Sequence, residues 1–306
     1  MADEMLVGID WGGTKIEAVA LTPEGAELFR EREDTPRGDY RACLSVVGAL
    51  AERIEREVGH FDRIGVGIPG SIDPLTGLGK GASSTWMIGQ PVERDLRQAL
   101  GGRELRAVND ADLLAASEAR DGAGAGYRVV FAANFASGVG AGIAVDGRAH
   151  HGPNNNAADW GHNPLPWPAE DELPGPSCWC GLTGCIETWL SGRAFQAQYQ
   201  EAAGEWLHGS EIIALARAGD SLAAELLDRY IDRVARGLAV VVNVMDPDVF
   251  VIGGGMSNVD ELYQRLPEQI LQYTFTTVFI TPIIKSVHGA SSGVRGAAWL
   301  WAEDPA

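Results

Sequence analysis

No run of eighteen apolar residues occurs anywhere in the 306-residue chain, so a membrane-spanning helix is excluded. The amino terminus shows no apolar core behind a basic region, so no secretory signal is read there and the expected compartment is the cytoplasm. Basic residues are scarce: 24 Lys and Arg stand against 42 Asp and Glu, a formal net charge of -18. That imbalance keeps a protein soluble and disfavours nucleic acid or an anionic membrane surface as a partner. An anionic ligand would need local backbone N–H groups, a helix N-terminus or a cation, magnesium first, to offset the surrounding field. Cysteine is scarce too. Three of the four, Cys178, Cys180 and Cys185, fall within eight residues while Cys43 stands apart, which is not the pattern of a secreted disulfide scaffold. Linkers, low-complexity tracts and short-period repeats are absent. What remains, 45% hydrophobic and 22% charged residues, is the composition of a folded chain long enough for one large domain or two of ordinary size.

Residues 5–9 read as a strand, 10–15 as a glycine turn, 16–21 as a second strand and 26–32 as a third, an antiparallel meander. Over residues 39–58, Leu44, Val47, Ala51, Ile54 and Val58 share one face and Gly59 follows, which predicts an amphipathic helix with a stop signal. Cys43 lies in that helix with no assigned chemistry. A short buried strand, 64–68, ends at Pro69-Gly70. A helix over 91–100, stopped by Gly101-Gly102, precedes a strand at 105–108, and Asn109-Asp110 opens a helix running to residue 118. Asp110 thus stands at a strand's carboxyl end, where open α/β sheets bind ligands; a helix N-cap is the equal alternative for it. Strands at 129–134 and 142–145 with an Asp146-Gly147 turn echo the opening hairpin and suggest two related lobes. Residues 151–185 show no periodicity, and a stretch of that length requires something to order it. A long apolar helix (221–242), a strand (249–252), the turn Gly253-Gly254-Gly255 and a closing helix (294–301) complete the pattern.

Four motifs carry chemistry. In Asp10-Trp11-Gly12-Gly13-Thr14-Lys15 the glycines let backbone N–H groups approach a phosphate, Thr14 offers a hydroxyl, and Asp10 could hold magnesium through water. A plain hairpin turn also wants Gly-Gly. Ala136-Ser137-Gly138-Val139-Gly140 occupies the matching turn of the second hairpin, and two such turns facing one another would clasp a polyphosphate. Gly253-Gly254-Gly255-Met256 suits close packing against a flat ring such as adenine, a strand-to-helix turn being the alternative. The fourth, Cys178-Trp179-Cys180 with Cys185 and the upstream His162, is the most specific. Three thiolates and one imidazole close a tetrahedral set, which zinc prefers in structural sites and which leaves no position open for water. Zinc would also turn ligation free energy into local folding and so order the irregular segment. Three unligated cysteines in a polar loop is the competing reading, disfavoured because free cysteines prefer burial.

Taken in order, Asp10-x-Gly-Gly-Thr-Lys15, Gly67-Ile-Pro-Gly70, Asn109-Asp110-Ala111, Trp160-Gly161-His162, the Cys178, Cys180, Cys185, Glu187 run and Gly253-Gly-Gly255 resemble the ROK family of sugar kinases along essentially the whole chain. Residues 84–86, 162–167, 256–260 and 291–301 look like its fructokinase or mannofructokinase branch. The resemblance implies an α/β protein of the actin-like ATPase, ribonuclease H-like fold, with two α/β lobes around a cleft. Residues 1–112 with 291–306 would form the smaller lobe, and 113–290 the larger one with the zinc loop and glycine turns. It implies Asp110 as the general base, accepting a proton from the sugar hydroxyl that attacks the γ-phosphorus. The sugar would be held by Asn109, Asp110, Asp159, His162 and Glu187 beside Gly70. ATP and magnesium would be held by Asp10, Gly12, Gly13, Thr14, Lys15, Ser137, Gly138, Gly254 and Gly255, and a structural zinc by His162, Cys178, Cys180 and Cys185. His162 would bind zinc through one nitrogen and face the sugar with the other side of its ring, so that zinc fixes the sugar loop. A homodimer is also implied. The implied reaction is ATP-dependent transfer to the 6-hydroxyl of a hexose, fructose first, with glucose, mannose, allose or an N-acetylhexosamine as alternatives.

Two departures from the family pattern bear on this expectation. The usual Gly-x-x-Gly-x-x-Gly-Glu-x-Gly-His run begins here at Gly152 and carries Asn155 and Ala158 for glycines and Asp159 for glutamate. A carboxylate drawn back by one methylene would weaken a sugar contact, admit a water or make room for another sugar. The phosphate turn, usually Gly-Thr-Gly, is Ala136-Ser137-Gly138; alanine would be strained there if the lost glycine had φ > 0. These departures support a rival of another class, a catalytically silent sugar-binding protein, whereas the intact Asp10, Asp110 and Glu187 oppose it. A sugar-responsive repressor is the other rival. With nine residues before Asp10 and a strongly acidic chain, direct DNA binding is not expected.

Overall fold

The computed structural model describes residues 5–302. In chain order the first elements are β1 (Leu6–Trp11), β2 (Lys15–Leu21), β3 (Glu27–Asp34), α1 (Tyr40–Glu57), β4 (Arg63–Ile68), β5 (Ser71–Ile72), β6 (Gly79–Lys80), α2 (Val92–Ala99), β7 (Glu104–Asn109) and α3 (Asp110–Asp121). Then follow β8 (Val129–Phe135), β9 (Val139–Val145), β10 (Arg148–Ala149), α4 (Glu187–Leu190), α5 (Gly192–Ala203), α6 (Gly209–Arg217), α7 (Ser221–Met245), β11 (Val249–Gly253), α8 (Asp260–Leu271), β12 (Ile283–Lys285) and α9 (Ser292–Trp299). Two compact units result: residues up to 128, 142–157 and from 287 onward form the first, and 129–141 with 158–286 form the second. No helix among the described residues is long and apolar enough to cross a membrane.

The first unit is built on a sheet of order β3-β2-β1-β4-β7. The β1-β2-β3 meander is antiparallel, and β4 and β7 continue from β1 in parallel. Alternation in β2 decides its two faces: Ile16, Ala18 and Ala20 pack with Cys43, Val47, Leu50 and Ile54 of α1, whereas Val19 and Leu21 pack with Val294, Ala298 and Trp299 of α9. Asp39 starts α1 by accepting the Ala42 N–H at 3.0 Å, the role its short side chain performs best. α9 lies on the sheet at glycine distance: a Cβ at Gly65 would sit 1.8 Å from the Ala297 carbonyl oxygen, and one at Gly8 2.3 Å from the Ala298 nitrogen.

In the second unit β8, β11 and β12 run parallel, in the order β8-β11-β12. β9 begins at Val139, three residues before the alternation predicts. α7 is capped by Asp220, which accepts the Ala223 N–H at 2.8 Å. Charges sit inside its apolar surface: Arg233 and Arg236 are buried and both pair with the buried Glu172. Burial alone would raise Glu172, yet the guanidiniums of Arg236 and Arg233 bring its pKa down from 4.5 to about 2. Arg236 also donates to the Trp167 carbonyl at 2.8 Å. The irregular 151–185 stretch therefore has an anchor besides any metal, and sequence spacing did not reveal it.

α5, α6 and α8 also exceed the sequence reading. α5 buries only Phe195 and Tyr199, a stripe too sparse to register as amphipathic. α8 buries Leu262, Leu266 and Ile270 on one line but holds Pro267 within the helix, a residue that argues against helix in isolation.

Candidate functional site

In the first unit, register brings the chemistry together. Asp10 of β1 aligns with Gly67 of β4, and Ile68 aligns with Asn109 of β7. Asp10, the 67–70 turn and the Asn109-Asp110 junction therefore share the carboxyl edge of the parallel strands, where such sheets bind ligands. Oδ1 of Asp10 is buried with no hydrogen-bond partner among the described residues. Burial first, then the nearby Asp110 carboxylate, pushes the Asp10 pKa from 3.8 to about 7. An orphaned carboxylate oxygen beside a second carboxylate fits a hard divalent cation. Gly293 of α9 leaves the room: a Cβ there would lie 2.3 Å from Oδ2 of Asp10.

Asn109 is held at both ends of its amide. Oδ1 accepts the Ala111 N–H at 2.8 Å, capping α3, and Nδ2 donates to the Gly70 carbonyl at 2.8 Å. The capping role considered for Asp110 thus falls to Asn109. Asp110 is the first residue of α3, where the helix dipole favours negative charge. Gly70, at φ 83°, has no room for a Cβ, which would come 2.6 Å from the Lys80 carbonyl oxygen.

The turn after β1 is fixed through its carbonyls. Thr35 Oγ1 donates to the Gly12 oxygen at 2.7 Å, Arg37 Nε to the Gly13 oxygen at 3.1 Å, and the Thr35 N–H to the Thr14 oxygen at 3.1 Å. The Gly12 N–H donates inside the turn, to the Lys15 carbonyl at 2.9 Å. The Lys15 ammonium pairs with Glu17, which also accepts from Arg30 Nε at 2.8 Å. A second cluster that the sequence did not single out ties residues 151–155 to this unit: His151 Nδ1 meets Asp112 Oδ2 at 2.8 Å, Lys80 Nζ donates to the Asn154 carbonyl at 2.9 Å, and Asn155 Nδ2 donates to the Ile72 carbonyl at 3.0 Å. Asn155 has φ 48° and Ala158 φ 61°, so both lost glycines were at left-handed positions. Asparagine adopts that region readily and alanine does not. Ala136 is not among the positive-φ residues, so the strain considered for the phosphate turn does not arise.

In the second unit, the ligand atoms of His162, Cys178, Cys180 and Cys185 all lie within 4.8 Å of one another. Cys178 Sγ is 3.5 Å from His162 Nδ1 and Cys180 Sγ is 3.7 Å from Cys185 Sγ. A tetrahedron of ~2.3 Å metal–sulfur bonds has edges of roughly 3.7 Å, so the spacing fits one metal and is far too long for a disulfide. Burial, then the neighbouring thiols of Cys180 and Cys178, push Cys185 up to about 12; a ligated cation would reverse that. Cys43, free and buried in α1, stands outside the cluster.

Glu187, the first residue of α4, is the hub beside that cluster. Its Oε2 accepts the Val139 N–H at 3.0 Å and its Oε1 accepts the Trp179 indole N–H at 2.6 Å. Gly138 passes so close that a Cβ would meet Oε2 at 2.7 Å. The neighbouring Ala136 carbonyl accepts the Gly192 N–H at 2.7 Å, which joins the Ser137-Gly138 turn to the start of α5. Asp159 precedes the short helical turn Trp160–His162 without capping it. After β11, Gly254 adopts φ 82° and packs on the chain itself, a Cβ there meeting the Phe135 carbonyl oxygen at 2.3 Å, whereas Gly255 has open space around it. The close-packing role considered for these glycines is thus filled by protein at Gly254, whereas Gly255 stands open.

The model of the ROK family matches residues 6–304. An N-acetyl-D-glucosamine kinase of Haemophilus influenzae (strain 86-028NP) is 36% identical over 302 residues, covering 97% of this chain and 99% of that protein. The solved structure of a ROK hexokinase from Thermus thermophilus superposes with a TM-score of 0.84 at 31% identity, covering 97% of each chain. A ROK glucokinase from Streptomyces griseus, solved with glucose and AMPPNP, has a TM-score of 0.79 at 24% identity over 96% of this chain and 98% of that one, a likeness of fold. These neighbours share the actin-like ATPase fold expected from the sequence.

Proposed function

The chain belongs to the ROK family, and from that premise we propose that it is an ATP-dependent sugar kinase whose first acceptor to test is N-acetyl-D-glucosamine. The observation that carries the kinase reading is the carboxyl-edge pair: Asp110 opening α3 beside a buried Asp10 oxygen that has no hydrogen-bond partner among the described residues. Asp110 would accept the proton of the attacking sugar hydroxyl, and Asn109, locked between Ala111 and Gly70, would orient the sugar. Positioning supplies most of the rate in phosphoryl transfer, whose transition state is loose. Magnesium, held near Asp10, would neutralise charge on the phosphates. The N–H groups of Gly13 and Thr14, and those of Ser137 and Gly138, are the proposed phosphate donors, because the Gly12 and Val139 N–H groups are already bonded within the protein, and Gly255 is the proposed adenine contact. His162, Cys178, Cys180 and Cys185 would hold a zinc ion whose contribution is to the fold of the loop carrying Asp159, His162 and Glu187. A cytoplasmic homodimer completes this reading.

Local segments favour fructose as acceptor, but an N-acetyl-D-glucosamine kinase is among the relatives that match along the whole chain. The shorter carboxylate at Asp159 is compatible with a bulkier acceptor. A coupled ADP-release assay with magnesium-ATP against hexoses and N-acetylhexosamines tests both points. Turnover with N-acetyl-D-glucosamine, falling by on the order of 10²–10⁴ in Asp110→Asn, is the expected result. Preference for fructose would restore the first expectation, and silence across the panel would leave the sugar-binding alternative.

A further inference from the structure

We infer that Trp179 is a positioning residue for sugar binding, orienting the Glu187 carboxylate from inside the cysteine cluster. The inference rests on the reading of Glu187 as a sugar ligand and adds to it a residue between two cysteines that the sulfur chemistry does not require. Cys178 and Cys180 act through sulfur, and a two-residue spacing constrains only the backbone of the residue between them. A small residue at 179 would serve the cluster equally well. Trp179 is nonetheless a large, half-exposed aromatic, and its placement is specific. The ring stands edge-on to His162, 4.7 Å between centroids at 88°, and the indole N–H donates to Glu187 Oε1 at 2.6 Å.

The carboxylate is thereby gripped from two directions, by Trp179 on Oε1 and by the Val139 N–H on Oε2 at 3.0 Å. A charge-assisted bond of this length is strong and directional. An ionised carboxylate accepts about four hydrogen bonds, so two protein donors leave acceptor capacity aimed in a fixed direction, suited to hydroxyl or amide donors of a sugar. Without the indole N–H, Oε1 loses its protein donor and the carboxylate is free to rotate on the Val139 bond. The His162 contact gives Trp179 its own rigidity, because the imidazole is fixed against Cys178 at 3.5 Å. Trp179 thus transmits the rigidity of the cysteine cluster to the sugar-facing carboxylate.

The test is calorimetric titration of N-acetyl-D-glucosamine and fructose, without ATP, into the metal-replete wild type, Trp179→Phe, Glu187→Gln and the double variant. Zinc content and thermal melts are measured on each. Trp179→Phe keeps the aromatic edge on His162 and removes only the N–H donor. The expected result is a loss of sugar affinity of about tenfold in Trp179→Phe, with zinc content and melting unchanged. The same substitution should cost less than about twofold in the Glu187→Gln background, since its effect passes through that carboxylate. In turnover assays KM for the sugar should rise while KM for ATP stays at its wild-type value. Unchanged sugar affinity in Trp179→Phe, an effect of equal size in both backgrounds, or a loss that tracks zinc release would each overturn the inference. Failure of the wild type to bind either sugar is a different outcome, and it would remove the kinase reading together with this one.

Discussion

Near neutral pH the unliganded protein holds Asp10 as a mixture of neutral and charged forms, because burial lifts its pKa to about 7. Since that value lies above the 3.8 of an exposed aspartate, the folded chain binds the proton more tightly than the unfolded one. The stabilising contribution is full below the unfolded value and is lost as pH rises through about 7. Asp10→Asn should therefore melt at a higher temperature than wild type at pH 8, with the difference shrinking at pH 5, while turnover with magnesium-ATP falls by at least about 100-fold. Melting curves at the two pH values check the first statement and initial rates the second. Gly293→Ala attacks the same carboxylate sterically, through a Cβ 2.3 Å from Oδ2. Alanine is the better helix former by about 1 kcal/mol, so a variant that loses tenfold or more in turnover without melting earlier would isolate the conflict with Asp10. At φ 61°, Ala158 carries a backbone cost of about 1–2 kcal/mol, partly offset by the unfolded-state entropy that glycine adds. Ala158→Gly should raise stability by up to about 1 kcal/mol in urea titration.

Between α7 and the irregular segment before it, the decisive interaction is ionic and buried. Glu172 accepts Arg233 Nε at 2.7 Å, Arg236 Nη1 at 2.8 Å and Arg236 Nη2 at 2.9 Å. Removing the anion leaves Arg233 with Gln198 and Arg236 with Asp232 and the Pro166 and Trp167 carbonyls, so Glu172→Gln should destabilise by about 3 kcal/mol, whereas replacing all three residues by well-packed apolar ones should cost less. Chemical denaturation of the single and triple variants separates these outcomes. The pH dependence has the opposite sign to that of Asp10. With a folded pKa near 2 against 4.5 unfolded, Glu172 stabilises fully above pH 4.5, and that contribution is lost as pH falls towards 2. The wild type should therefore lose stability across that window more steeply than the apolar triple variant.

For the molecule as a whole, bound ligands add to stability by mass action. Sugar at 100 times its Kd should contribute about 2.7 kcal/mol, raising Tm by several degrees, and Asp110→Asn should retain much of that shift while losing turnover. A chelator strong enough to extract zinc should release about one equivalent and lower Tm, and Cys185→Ser should be purified without the metal. The sequence by itself determined the strand at Ile64 to Ile68 and the helix from Asn109 to Glu118, because apolar runs bounded by caps and glycines leave few alternatives there, but not the parallel strand β12 or the helix α8 before it. It also determined the cysteine and histidine set, whose donor chemistry is specific at close range. Only the tertiary structure decided that Asn109 rather than Asp110 caps α3, that Asp10 keeps a buried oxygen without a hydrogen-bond partner among the described residues, and that Asn155 and Ala158, but not Ala136, are left-handed. It alone paired Glu172 with two arginines more than sixty residues away. The physical reason is common to all of these: burial and the identity of a hydrogen-bond partner depend on which distant segment packs alongside, and periodicity along the chain records only which side a residue faces.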